Sequence, residues 1–339
     1  MYYFVLFKRQ LVVYNDTIWK QQEGTNLIEQ VVHVNLPVDE EMRVQKMRLS
    51  PTTPREGMKR ISIVTGTHGD ELEGQYVCYE LQRRLRAHPE HLAGVVDIYP
   101  ALNPLGVDSI TRGVPGFDLD MNRIFPGNED GAMAEYSAAK ITQDILGSDL
   151  CIDVHASNIF LREIPQVRVS QSTAQALLPY AVQLNCDFIW VHASATVLES
   201  TLAHTLNARG VNTLVVEMGV GMRITREYGD QLLDGVFHVM HSLGIWTGDD
   251  PEVRKPIVST DGKVSFINAE ALGMFVPRVT HWEDVHAGEV IGDLINPLTG
   301  EGTEVKSPCD GVLFTLREYP LVYEGSLIGR VLSREEAQA

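Results

Sequence analysis

The chain has 339 residues, enough for two domains or one large domain with an appendage, and its 44% hydrophobic and 22% charged content is that of a folded globular protein. With 28 Lys and Arg against 45 Asp and Glu, the formal charge of -17 repels phosphate backbones and anionic lipid surfaces, which argues against nucleic acid and membranes as partners. A few arginines inside a pocket can still receive a small anionic molecule, so the arginines near the motifs matter more than the sum.

The first residues, Met1 to Arg9, put their positive charges after a very short apolar stretch, the reverse of a secretory signal. No apolar run approaches a membrane span. Cys78, Cys151, Cys186 and Cys309 are scattered without C-x-x-C pairing and read as reduced, mostly buried thiols. Together these features predict a cytoplasmic protein.

Residues 1–57 alternate apolar and polar in places, as in Val31–Leu36, and end in the loop Ser50–Pro54, so they read as a β-rich segment packing on the domain that follows. Over 58–250 short β-rich runs alternate with segments of helical period. The runs are Ile61–Thr65, Val95–Tyr99, Leu150–Val154, Phe188–Val191 and Thr213–Glu217, and the helices are expected near 71–87, 133–147, 173–185, 199–209 and 226–243. This alternation predicts an α/β domain with a mostly parallel or mixed sheet and helices on both faces. Over 251–339 the helical signal disappears and glycine-punctuated strands return, which predicts a small C-terminal all-β domain. Val305–Leu313 followed by Val322–Ile328 is similar to the second half of a biotinyl/lipoyl-type sandwich, yet the hairpin Asn296–Gly302 has no lysine, so a swinging-arm carrier is not expected.

The densest chemistry begins at His68. The run Ile61–Thr65 leads into Gly-Thr-His68-Gly-Asp-Glu71, where Asp70 is expected to cap a helix with Glu73 as its capping-box partner. His68 and Glu71 then fall on a strand-to-helix turn at the carboxyl end of a parallel strand, where open α/β sheets bind ligands. An imidazole and a carboxylate at this spacing can hold one ion, although H-x-x-E alone also begins many solvated helices. His155, closing the run Leu150–Val154, adds a second imidazole at a second strand end. A His₂Glu set leaves one position open, the arrangement of a catalytic zinc. Asp153, two residues before His155, falls on the same side of the strand and is either an acceptor behind that ligand or purely structural.

Glu217 ends the run Thr213–Val216, where a charge after four β-formers is costly unless it emerges at the crevice; it suits a general base acting on a metal-activated water, or else merely caps its strand. The segment Thr111–Gly127 holds Arg112, Asp118, Asp120, Asn122 and Arg123. Asn122 and Arg123 are adjacent donors suited to a carboxylate, and Arg112 is suited to a carbonyl oxyanion; a surface salt-bridge network is the other reading. The pairs His88/His91 and His238/His241 read as solvated histidines without a third ligand.

In order, G-x-H-G-D-E-x-x-G, R…D-x-N-R-x-F-P-G, D-x-H and V-E-x-G resemble the succinylglutamate desuccinylase/aspartoacylase family of the zinc carboxypeptidase superfamily, over about residues 60–245 and with a similar trailing β-domain. The resemblance implies a carboxypeptidase-like fold and one Zn²⁺ per chain on His68, Glu71 and His155, with Glu217 as general base. It also implies Asn122 and Arg123 as the grip on a substrate carboxylate, and Arg112 at the carbonyl. Where the family usually has D-L-N-R, this chain has Asp120-Met-Asn-Arg123, and Arg112 stands farther from Asn122 than in aspartoacylases. Arg162 and Arg168 are candidates for a second carboxylate.

The expected activity is therefore hydrolysis of the amide bond of an N-acyl amino acid or related small carboxylate. The alternatives are a metallocarboxypeptidase acting on short peptides and a non-catalytic metabolite-binding or scaffold protein. The sequence leaves open assembly as a homo-oligomer.

Overall fold

The computed structural model describes residues 27–53, 55–117, 119–192, 199–260 and 263–333. The reading of Met1 to Arg9 and the position of Asp118 lie outside the described residues. The first described element is a hairpin of β1 (Leu27–Leu36) and β2 (Glu40–Leu49), which pairs along nearly its whole length. Then β3 (Arg60–Thr65) leads into α1 (Glu73–Ala87), and β4 (Val95–Tyr99) into the short α2 (Pro104–Ser109). A 3₁₀ turn at Met121–Arg123 precedes α3 (Met133–Ile145), β5 (Leu150–His155) and β6 (Leu161–Ser170). Next come α4 (Ala174–Ala181), β7 (Phe188–His192), α5 (Leu202–Ala208), β8 (Asn212–Gly219) and α6 (Arg226–Ser242).

The C-terminal part has strands only: β9 (Ile257–Thr260), β10 (Val264–Asn268), β11 (Gly273–Pro277), β12 (Glu283–Val285), β13 (Val290–Ile295), β14 (Gly302–Lys306), β15 (Gly311–Arg317), β16 (Leu321–Val322) and β17 (Leu327–Ser333). Among the described residues none of the helices is long and apolar enough to cross a membrane.

The main sheet runs β1-β2-β4-β3-β5-β8-β6-β15-β17-β10, and β4, β3, β5 and β8 form its parallel centre. Its strands carry apolar side chains on both faces, as a sheet covered on both sides requires. Ile61, Ile63, Ile152, Leu214 and Val216 pack with Val77 and Leu81 of α1 and Leu232 and Val236 of α6. On the opposite face Val64, Tyr99 and Cys151 pack with Ala138 and Ile141 of α3 and Leu202 and Leu206 of α5. The expected α/β sheet with helices on both faces is thus present, with antiparallel strands added at both flanks.

The C-terminal strands are joined to this sheet as well as forming one of their own. β15 pairs antiparallel with β6, and β9 pairs parallel with β7, while β14-β13-β11-β16 make a separate four-stranded sheet around Phe275, Ile291 and Val322. A small apolar cluster of Ile164, Phe188, Trp190, Val264, Phe314 and Leu332 fills the junction.

Two local expectations are corrected. Helix α1 begins at Glu73 with Leu72 at the cap position and no side-chain cap, so Asp70 is not its N-cap and Glu73 is not a capping-box partner. Glu73 is drawn instead to Thr225, whose N–H and Oγ1 donate to it at 2.5 and 2.8 Å. Strand β6 was not among the expected runs, because Pro165 and three charges interrupt its pattern; Pro165 sits where the β6–β8 register shifts between Glu163 and Gln166, so its missing N–H breaks no ladder. Of the four cysteines, all free, only Cys309 is not buried.

At the β2 edge Lys46 is buried, with Nζ 2.7 Å from Asp144, 3.2 Å from Glu29 and 3.4 Å from the fully buried Asp97. Asp97 also accepts from Arg48 Nε and Nη2, both at 2.7 Å, so loss of Lys46 leaves chiefly the half-buried Asp144 and Glu29 without their cation. Lys46→Met should therefore lower unfolding free energy by about 1 to 3 kcal/mol, read as a lower urea midpoint with an unchanged slope.

Candidate metal centre

Three parallel strands end side by side where the chemistry lies. β3 and β5 pair in register, and so do β5 and β8, with His155 opposite Glu217. Beyond β3 the chain turns through Gly66 to Gly69 and presents His68 and Glu71. Gly69 has no alternative there: a Cβ would stand 1.9 Å from the backbone carbon of Gly106, and its N–H donates to Thr111 O at 3.1 Å. The turn is closed from the other side by Met222, whose N–H donates to Asp70 O at 2.6 Å.

Glu71 stands at the centre. Its Oε1 lies 2.8 Å from His68 Nδ1 and its Oε2 lies 2.9 Å from His155 Nδ1, while Ala156 N–H donates to Oε2 at 3.2 Å. All three side chains are buried. Burial opposes ionisation of Glu71, yet the hydrogen bonds and charges of His155 and His68 outweigh it and hold this carboxyl well below the usual range. Each imidazole has a carboxylate behind it. His68 Nε2 is 3.1 Å from Asp120 Oδ1, and His155 Nε2 is 3.2 Å from Asp153 Oδ2. The second pair attracts by charge but is not aligned for a hydrogen bond, so His155 Nε2 and both Asp153 oxygens, all buried, lack one.

Burial disfavours protonated imidazole, but Asp120 and Glu71 raise the pKa of His68, and Asp153 and Glu71 raise that of His155 well above its ordinary value. Asp120 itself, despite burial, is held low by His68 and Arg112. The cluster is thus built to carry positive charge between its rings. One ligand atom each from His68, Glu71 and His155 fall within 4.8 Å of one another. Two imidazole nitrogens and a carboxylate converging in a buried, carboxylate-backed pocket fit a small divalent cation with an open position.

The other expected residues surround this cluster. Glu217 Oε1 accepts from Arg168 Nη1 at 3.1 Å, and its side chain keeps 15% of its surface open. Its burial raises its pKa above the ordinary carboxylate value, with Arg168 and His155 opposing. Arg112 spans two acids, with Nη1 3.1 Å from Glu71 Oε1 and Nη2 3.3 Å from Asp120 Oδ2. Asn122 Oδ1 accepts from Leu202 N–H at the start of α5 at 2.9 Å, so the donor it has to offer elsewhere is its Nδ2 amide. Arg123 is half exposed, with Nη1 on Asn122 O at 2.8 Å. Arg162 pairs with Glu318 at 3.1 Å, and Arg168 reaches Glu163 at 2.7 Å as well as Glu217.

The sequence reading missed Asp120 as the partner of His68 and Glu163 as the partner of Arg168. Its expectation that the outlying histidine pairs have no third ligand is overturned at His88/His91. Glu90, in the 3₁₀ turn Pro89–His91, lies 3.4 Å from His88 and 3.8 Å from His91, and the three can meet at one ion, while Asp250 lies 2.6 Å from His238 and 3.5 Å from His241.

Fold and site define an α/β protein whose central strand ends carry a metal-competent His, Glu, His cluster beside a further carboxylate. Residues 57–243 match the model of the succinylglutamate desuccinylase/aspartoacylase catalytic domain. The chain belongs to this family. It is 27% identical, over 79% of its length and 80% of the relative's, to an N-α-acetyl-L-2,4-diaminobutyric acid deacetylase of Halomonas elongata. Among solved structures, the product-bound ectoine utilization protein EutE (DoeB) of Ruegeria pomeroyi superposes with a TM-score of 0.76 at 19% identity, covering 91% of this chain and 99% of that one. A succinylglutamate desuccinylase/aspartoacylase of Rhodobacter sphaeroides gives 0.77 at 22% identity, over 92% and 96%.

Carboxylates that orient ligating histidines typically contribute 10- to 100-fold to metal affinity. Asp120→Ala should weaken divalent metal binding by roughly that factor, measured by competition with a chromophoric chelator, while the folded structure is retained.

Proposed function

We propose that this protein is a zinc-dependent deacylase that hydrolyses the amide bond of an N-acyl amino acid or a related small carboxylate. The observation that carries the reading is the convergence of His68 and His155 on Glu71 with Glu217 directly across the strand pair from His155. Membership of the family supports it, as does the likeness to a relative named for deacetylating an N-acetyl amino acid. His68, Glu71 and His155 would hold one zinc ion, which when bound supplies Lewis acidity that polarises an amide carbonyl and acidifies water.

The remaining work falls to this chain's own side chains. Glu217, with its raised pKa and partial exposure, takes a proton from the attacking water and returns it to the leaving nitrogen. Arg112, at the edge of the cluster, donates to the oxygen on which charge accumulates. Asn122 and Arg123 orient the substrate carboxylate through the Nδ2 amide and an exposed guanidinium. The four free thiols, three of them buried, agree with a cytoplasmic location.

Purified protein should contain about one zinc per chain, and His68→Ala should lose it; a zinc-replete variant would remove His68 from the ligand set. Glu217→Gln should keep its zinc and lose about 10²- to 10⁴-fold in kcat on whichever of a panel of N-acetyl, N-succinyl and other N-acyl amino acids the wild type cleaves. A panel cleaved more slowly than short peptides would favour a carboxypeptidase.

The pH dependence follows from the same residue. Glu217 must be ionised to accept a proton, and its pKa lies above the ordinary 4.5, so kcat/KM should be lost as pH falls through a value higher than that. Zinc content measured at each pH separates this limb from metal loss. An activity plateau that persists below pH 4.5 with zinc retained would contradict the assignment.

A further inference from the structure

A row of charged side chains runs away from Glu217 toward the C-terminal strands, and the chemistry above does not use it. On β17 Arg330 is opposite Thr315 of β15, and Thr315 is opposite Glu163 of β6. Residues paired across neighbouring strands share one face, so the three meet. Arg330 Nη1 donates to Glu163 Oε1, and Thr315 Oγ1 reaches the same oxygen at 3.3 Å. The other oxygen, Oε2, accepts from Gln166 Nε2 at 3.0 Å and from Arg168 Nη2 at 2.7 Å. Arg168 then passes its Nη1 to Glu217.

The result is a chain of alternating charge, Arg330, Glu163, Arg168, Glu217, in which Glu163 is completely buried. Both guanidinium groups lie over the Trp190 ring, at 5.5 Å for Arg330 and 5.8 Å for Arg168, and Arg330 also faces Phe266. The indole confines both planes, so neither cation turns freely away from Glu163.

We propose that Arg330 is a positioning residue for Glu217, acting through Glu163 and Arg168, so that a C-terminal strand outside the matched catalytic region holds the proton acceptor in place. This rests on Glu217 being that acceptor. With Arg330 present, Glu163 is neutralised by two cations and Arg168 can divide itself between two carboxylates. Without it, Glu163 has only Arg168 for a counter-ion. Arg168 is then drawn wholly to Glu163, and Glu217 loses the donor that fixes its carboxylate. A merely structural Arg330 would hold the strands together and leave turnover per folded molecule unchanged.

The test uses the full zinc-loaded chain, with Arg330→Gln and Arg330→Lys compared with wild type on N-acetyl-L-2,4-diaminobutyrate and the rest of the N-acyl amino acid panel. Arg330 meets Glu163 through Nη1 alone, so lysine, which keeps the charge, is the rescue control. Zinc content is expected to stay at the wild-type level and KM within about twofold, while kcat falls about tenfold or more in Arg330→Gln and stays within about twofold of wild type in Arg330→Lys. Wild-type kcat in folded Arg330→Gln overturns the proposal, and if that variant does not fold, wild-type kcat in Arg330→Met, which keeps an apolar stem against Trp190 without the charge, overturns it instead.

Urea unfolding of Arg330→Gln, Glu217→Gln and the double variant decides the same point without a substrate. Removing either end of the charge chain leaves an odd buried charge, whereas removing both leaves one matched pair. The double variant should therefore lose less than the sum of the two single losses, although Arg330 and Glu217 share no direct bond; additive losses overturn the coupling. If the wild type cleaves no panel member, the deacylase reading fails while this cycle still tests the charge chain.

Discussion

The site is organised by one buried carboxylate. Glu71 is enclosed, ionised and shared by two imidazoles that arrive from different strands, His68 from the end of β3 and His155 from the end of β5. An ionised carboxylate at this depth is stable only if each oxygen is met by donors or positive charge. That requirement fixes the β3–β5 register, the tight turn through Gly69 against Gly106, and the Ala156 N–H that faces Oε2. Displacing any of these would leave Glu71 buried without its partners.

Electrostatic order extends outward from this centre in two directions. Behind the imidazoles stand Asp120 and Asp153, which make the rings favour positive charge. Beside them stands Glu217, made more basic by burial and restrained by Arg168. Two carboxylates at strand ends on either side of β5 therefore differ in character: the imidazoles hold Glu71 well below the usual carboxylate range, while burial raises the pKa of Glu217. Such divergence suits the separate ligating and proton-transfer roles proposed for the two acids. The C-terminal strands enter the same order through β15 and β17, because Glu163 accepts from Thr315 and Arg330 as well as from Arg168.

Much of the centre was legible in the sequence because its signals are local. His68, Glu71, His155 and Glu217 each sit where a β-run gives way to a turn, and the parallel sheet brings these ends together. What was not legible depends on pairings between distant segments. Strand β6 is hidden by Pro165 and its charges, and it reads as a strand only once β8 and β15 flank it. Arg168, a candidate for a substrate carboxylate by sequence, donates to Glu163 and Glu217, contacts that spacing alone does not reveal. The helix start at residue 70 failed for the same reason: Thr225, far along the chain, takes the Glu73 carboxylate that a local rule assigns to a cap.

X-ray absorption at the zinc edge of the metal-loaded protein tests the central claim most directly, since it reads the ligands rather than their consequences. The account predicts two imidazole nitrogens at about 2.0 to 2.1 Å, carboxylate oxygen at about 2.0 to 2.2 Å and no sulfur. A spectrum with thiolate scattering, or with fewer than two imidazoles, would contradict it.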